Sequence, residues 1–274
     1  MKKIIVATDF SPAACNAAKY AAQMAIAINA DLILLHVYGI PVVYSEVPVA
    51  VNTEEVWKVA EENMNDLQLQ LKSLTNRVLQ IEKVIRMGSF YHELKIVCEH
   101  VEPYTVVMGC QGTSATEQLV FGSHAVHAMK HLAWPLITVP LHSVFSTVKK
   151  IALVCDLYRA ADDTPIDEIK MLVHDFEAEL HVLHIGKERV FDPNTVFQPN
   201  MLLNILEDLR PIYDFISNVN TDEDILAFAE GNNIDLLLIV PKRYSFLETL
   251  MRISHTRYFV LHSHVPIMAL HAVH

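Results

Sequence analysis

Three of the seven glycines in this 274-residue chain fall in one short segment. It reads Met108-Gly109-Cys110-Gln111-Gly112 and resumes, nine residues later, as Gly122-Ser123-His124. Glycine permits positive φ and close backbone approach to a ligand, so a glycine turn that leaves a strand and enters a capped helix can aim amide N–H groups at one point. An anion fits such a point, and phosphate is its natural occupant. Gly109 and Gly112 alone would read equally well as turn residues. The third glycine with its serine favours the phosphate cradle.

The elements around this segment must bring it to a ligand. Short apolar runs without alternation alternate with longer amphipathic stretches, the pattern of βαβ units and a parallel sheet covered on both faces. The first half of the chain predicts strands near 2–8, 31–37, 81–87, 104–108 and 136–139. Ser11 with Pro12, Asn52 or Thr53 before Glu54-Glu55, Ser89, and Ser123 predict helix starts, the last two opening helices over 90–101 and 124–131. The fold class is therefore α/β, a doubly wound unit of five strands and four helices. Such sheets bind ligands at the carboxyl ends of the strands where the winding reverses, here between the first and fourth, with Asp9 and Gly109 on either side. A helix-capping or turn residue is the alternative reading of Asp9.

The pattern is repeated. Lys2-Lys3-Ile4-Ile5-Val6-Ala7-Thr8-Asp9 matches Lys149 to Asp156 after a shift of 147, and Asp31 to Val37 matches Glu179 to Ile185 after a shift of 148. From Glu93 onward a shift of 131 carries Val106-Val107-Met108 onto Leu237-Leu238-Ile239, Ser123-His124 onto Ser254-His255 and Pro135 onto Pro266. Three blocks in one order indicate duplication, with units at 1–145 and 146–274 and with material lost between the second and third strands of the second copy.

Gly-x-x-Gly, nine residues, then Gly-Ser resembles the ATP-binding pattern of the universal stress protein family, and Gly109, Gly112 and Gly122-Ser123 match it in full. Ile4 to Ser11 is similar to that family's first strand, Leu35-His36-Val37 to its second, and His131 to Val139 to its closing helix and strand. The resemblance implies two tandem five-stranded sheets of the adenine nucleotide α-hydrolase-like type, packed through their fifth strands as an intramolecular pseudo-dimer. It also implies ATP with Mg2+ as the ligand. Thr8 and Asp9 would then lie beside adenine and ribose and Val37 against adenine, while Met108, Gly109, Gln111, Gly112, Gly122, Ser123 and His124 would hold ribose and phosphates. His124 stands where a small or β-branched residue is commoner, and Gln111 replaces a frequent basic or hydroxyl residue.

The second copy reads Ile239-Val240-Pro241-Lys242-Arg243, and the shift turns Gly109, Gly112 and Gly122 into Val240, Arg243 and Ile253. Branched side chains there would fill the space a phosphate needs, so one nucleotide per chain is expected, in the first half.

Other features bound the reading. A net charge of −11 disfavours nucleic acid and anionic membrane surfaces as partners. Cys15, Cys98, Cys110 and Cys155 form no CxxC pair, which suits a reducing compartment, and no apolar run has signal-peptide or transmembrane length, so a cytoplasmic location is expected. Cys110 reads as a small filler or as a thiol activated by a nearby helix N-terminus. His124, His127 and His131 share a helix face, and His262, His264, His271 and His274 cluster near the end of the sequence; both groups read as polar surface ahead of metal ligands. Residues 39–52 read as a lid over adenine or a patch against the other half. The function expected is an ATP-binding, regulatory stress-response protein acting through unidentified protein partners, with a homodimer left open. A slow ATP hydrolase or phosphotransferase and a scaffold without nucleotide are the alternatives. No lysine or arginine lies within 109–129 to support charge on a transferring phosphoryl group.

Overall fold

The computed structural model describes residues 1–39, 53–110, 121–155, 164–185, 202–216, 221–240 and 253–271. In the first half the order is β1 (Lys2–Ala7), α1 (Pro12–Ala27), β2 (Ala30–Tyr38), α2 (Thr53–Leu74), β3 (Ile81–Met87), α3 (Phe90–Val101), β4 (Thr105–Cys110), α4 (Phe121–His131) and β5 (Leu136–Pro140). The second half follows with β6 (Lys150–Cys155), α5 (Ile166–Phe176), β7 (Glu179–Ile185), a short α6 (Leu202–Ile205), β8 (Ile212–Ile216), α7 (Thr221–Gly231), β9 (Leu236–Ile239), α8 (Ile253–His262) and β10 (Ile267–Ala269). The predicted strands of the first half are all present. The fourth runs two residues further than expected, through Gly109 to Cys110, and α4 begins at Phe121, so Ser123 lies inside its first turn and does not cap it.

All ten strands form one sheet, in the order β3-β2-β1-β4-β5-β10-β9-β6-β7-β8. Each half is parallel within itself, and β1 and β4 are neighbours at the point where the winding reverses, as the sequence predicts. The duplication is legible in the registers. Ile4 pairs with Leu32 and Thr105 in the first half, and Ile151 pairs with Leu180 and Leu236 in the second. Those are the positions to which shifts of 147, 148 and 131 carry the first set.

The halves meet where β5 pairs antiparallel with β10, Leu136 opposite Ala269, Ile137 opposite Met268 and Thr138 opposite Ile267. A shift of 131 exchanges the members of this ladder about its central pair. The contact is thus isologous within one chain, the geometry of a two-fold dimer made by duplication. Pairing removes two exposed strand edges, each of which would otherwise be a template for association.

One apolar layer lies on each face, and each runs across both halves. Alanines of α1, Met64 and Leu67 of α2 and Leu172 of α5 cover one face; Leu94 of α3, Ala125 and Met129 of α4, Ile225 of α7 and Phe259 of α8 cover the other. Strands buried on both faces need no alternation, which explains the unbroken run Leu32-Ile33-Leu34-Leu35. Ala13, Ala14, Ala17, Ala18, Ala21, Ala22 and Ala25 are all buried on α1, and their small side chains let this helix lie close on the sheet. Among the described residues no helix is long and apolar enough to cross a membrane.

Candidate functional site

The crevice at the carboxyl ends of β1 and β4 is built by the turn after β1. Ala7 and Met108 are in register, so Thr8, Asp9 and Gly109 come together at one edge of it. Thr8 is buried, its N–H donates to Leu35 O (2.9 Å), and its Oγ1 accepts from Phe10 N–H (3.0 Å). Phe10 takes a left-handed φ of 64°, an uncommon conformation for a bulky residue, which helps turn the chain from strand to helix between Ala7 and Pro12. Asp9 is exposed at the rim, and its Oδ1 accepts from Ser11 N–H (2.9 Å). The turn role considered for Asp9 is thus present, with the carboxylate open to solvent. Ser11 caps α1 as predicted: its Oγ accepts from Ala14 N–H (3.2 Å), a contact worth about 1 kcal/mol.

Two side chains with no role in the sequence reading hold this turn in place. The His36 Nδ1–H donates to Thr8 O (2.8 Å), fixing the tautomer with the proton on Nδ1, and its ring lies 4.5 Å from the ring of Phe10. Asn16 Nδ2 donates to Pro140 O (3.0 Å) and Ser143 O (2.9 Å), tying the first turns of α1 to the end of β5. A histidine closing an apolar run and an asparagine inside an alanine helix were the available signals. Val37, next to His36, is half-buried and pairs with Arg86 of β3.

Gly109 is a strand residue, paired with Val139, and the reason for glycine is α1. A Cβ at Gly109 would lie 2.4 Å from Ala13 O and 2.7 Å from Ala14 N, both backbone atoms that cannot yield. The close approach expected of a ligand is made here by the amino end of a helix. Cys110 is fully enclosed, and burial pushes its thiol up to about 12, the opposite of activation by a helix N-terminus. Gln111 and Gly112 lie outside the described residues, and Gly122 and Ser123 are known by their place in the first turn of α4. His124 is exposed on α4, its ring 4.9 Å from Phe90. His127 and His131 continue that face, His127 edge-on to Tyr91 at 4.7 Å, and Tyr91 donates its hydroxyl to His131 O (2.6 Å). Among the described residues no three His, Cys, Asp or Glu side chains are grouped to hold a metal ion.

The equivalent place in the second half has a different construction. Val240 is buried, and α5 begins only at Ile166, where a shift of 147 would start it at 159. Asp156 and the segment 241–252, with Lys242 and Arg243, lie outside the described residues.

The family model for the universal stress protein family matches residues 1–140. The chain belongs to the universal stress protein family. A universal stress protein from Archaeoglobus fulgidus aligns over 98% of this chain and 96% of its own, at 16% identity and a TM-score of 0.73. A putative universal stress protein from Pseudomonas aeruginosa aligns over 98% and 93%, at 11% identity and a TM-score of 0.61. At these identities the likeness is one of fold. No curated protein matches the sequence. Within the universal stress protein frame, Thr8, Asp9, Val37, Met108 and Gly109 fall at the carboxyl ends of β1, β2 and β4.

Proposed function

We propose that the chain, divided as units 1–145 and 146–274, is a cytoplasmic regulatory protein of the stress response that binds one adenine nucleotide, ATP with Mg2+, in its first half. The observation that carries this reading is the register of Ala7 with Met108 at the reversal of winding, directly followed in sequence by the Gly109, Gly112, Gly122-Ser123 pattern. The described residues fit the base and ribose end of such a ligand. A buried Thr8, an exposed Asp9 carboxylate able to accept from ribose hydroxyls, and half-buried Val37 at the carboxyl ends of β1 and β2 support this reading. Gln111, Gly112, Gly122, Ser123 and His124 are the proposed phosphate end. Binding alters association with protein partners; no turnover is assigned to these residues.

The test is stoichiometry. Mass analysis of gently denatured protein and calorimetry with ATP are expected to give one nucleotide per chain. Absence of nucleotide by both methods would overturn the reading.

A further inference from the structure

The turn between β1 and α1 carries two kinds of restraint, and only one of them ties it to the sheet. The bonds from Phe10 N–H to Thr8 Oγ1 and from Ser11 N–H to Asp9 Oδ1 each span two residues, so they would travel with the turn if it swung. A φ of 64° is one that a bulky residue such as Phe10 keeps only where its surroundings over-determine it. Those surroundings include β2. Thr8 N–H donates to Leu35 O (2.9 Å), and the next residue, half-buried His36, donates its Nδ1–H to Thr8 O (2.8 Å). Both backbone groups of Thr8 are thereby committed to successive residues of β2, the second through a side chain. The same imidazole lies 4.5 Å from the ring of Phe10 and 6.5 Å from that of Tyr38, inclined 20° to the latter, so it has a ring on either side.

Asp9 stands between the two residues that His36 touches. Its Oδ1 accepts from Ser11 N–H, and its Oδ2 has no partner among the described residues, which leaves that oxygen at the exposed rim of the crevice. The backbone of Thr8 and Phe10 sets the direction in which this carboxylate points.

We propose that His36 is a positioning residue of the nucleotide crevice: by holding Thr8 O and the Phe10 ring, it fixes the direction in which Asp9 presents its carboxylate to the ligand. The role rests on the adenine-nucleotide reading of the same crevice, to which it adds a residue that acts through Asp9. Without the His36 bond the turn samples other directions, and apparent affinity falls with the fraction of time spent in the competent one. One neutral hydrogen bond is worth up to about tenfold in such an equilibrium.

The experiment is calorimetric titration of the full chain and three variants with ATP and with AMP. His36→Asn places an amide N–H near the position of Nδ1, His36→Gln places it further out, near Nε2, and His36→Phe keeps a ring against Phe10 without a donor. His36→Asn is expected to bind like wild type, and His36→Gln and His36→Phe about tenfold more weakly. The factor should be the same for both nucleotides, because the turn lies at the base and ribose end that they share. A residue serving the fold alone would lower the urea midpoints of the variants and leave their affinities level, so unfolding is measured beside binding. Nitrogen-15 NMR of wild type is expected to show the His36 proton on Nδ1. Equal affinity in wild type, His36→Asn and His36→Gln overturns the proposal, as does a loss confined to ATP, which would place the effect at the phosphates. Failure of wild-type protein to bind either nucleotide overturns the nucleotide reading, and the positioning role with it. The contrast between His36→Asn and His36→Gln stands even if His36→Phe fails to fold.

Discussion

Positions 109 and 240 correspond by the shift of 131, the first inside β4 and the second just past β9, and the two halves use them differently. At 109 a glycine lets the amino end of α1 settle on β4, with Ala13 backbone inside the radius of any side chain. At 240 a buried valine stands in its place, and α5 starts later than the shift of 147 would put it. At position 109 the absence of a side chain is what admits the amino end of the first helix. The comparison teaches that a glycine in a ligand-binding pattern can be demanded first by the protein. Its loss would then remove the site by moving the wall, before any phosphate is considered.

Gly109→Val should destabilise the chain by about 3 kcal/mol or more, because the clash is with backbone and not with a flexible side chain, and it should lose ATP binding at the same time. Chemical unfolding beside calorimetry checks this; an unchanged midpoint would show that α1 moves freely and that the contact does not matter. Gly122→Val separates the two roles. It is expected to abolish ATP binding while unfolding normally, and wild-type protein is expected to titrate with one ATP, so a stoichiometry near two would end the contrast between the halves.

A smaller effect sharpens the comparison at the β5–β10 ladder, where the shift of 131 places His271 opposite Pro140 in role. Burial holds the His271 imidazole down at about 4, helped by the neighbouring His131; both ring nitrogens are enclosed, and the Met129 and Lys130 backbone lies close without closing a hydrogen bond of normal geometry. A group depressed below its unfolded value of about 6.5 favours folding above that pH, and the advantage drains away as pH falls from about 6.5 towards 4. Roughly 3 kcal/mol is the upper bound for that loss. His271→Gln should flatten the pH dependence of the urea midpoint between pH 7.5 and 5, and an unaltered slope would remove the residue from the account. The smallest stability effect is expected at Asp9→Ala. Its exposed carboxylate makes one turn bond, so stability should fall by about 1 kcal/mol or less while ATP affinity drops clearly; the reverse pattern in paired melts and titrations would make Asp9 a turn residue only.

Much of the fold was legible because the repeat is strict where strands pair. The shifts of 147, 148 and 131 read from Lys2, Asp31 and Val106 reappear as registers, since moving a strand by one residue would reverse which side chains face each layer. The cap at Ser11 was legible for local reasons, and so was the start of α3 after Ser89, although Ser89 makes no side-chain capping bond. Less visible was the length of β4. Glycine in a sequence signals a turn, whereas Gly109 and Cys110 continue a ladder that Val139 and Pro140 complete from 30 residues away. Ser123 misled in the same manner, because a serine before an amphipathic stretch reads as a cap whether or not another turn of helix precedes it. His36 carried no signal beyond its type and its place at the end of an apolar run. Its role depends on Thr8 O and Phe10 arriving from a different strand.

The antiparallel ladder between β5 and β10 also sets a schedule for synthesis. Residues 141–266 separate Pro140 from Ile267 in the chain. At about 5–20 residues per second, a ribosome needs roughly 6 to 25 s to deliver the second strand after the first. Throughout that interval the first half can have all four of its other strands in place and still present β5 as an open edge, the template on which a second nascent chain can add. Fusion of two units into one polypeptide therefore exchanges a search between separate molecules for a wait within one. A chaperone or a crowded polysome would meet the protein in that window, with Leu136, Ile137 and Thr138 as the strand it must shield.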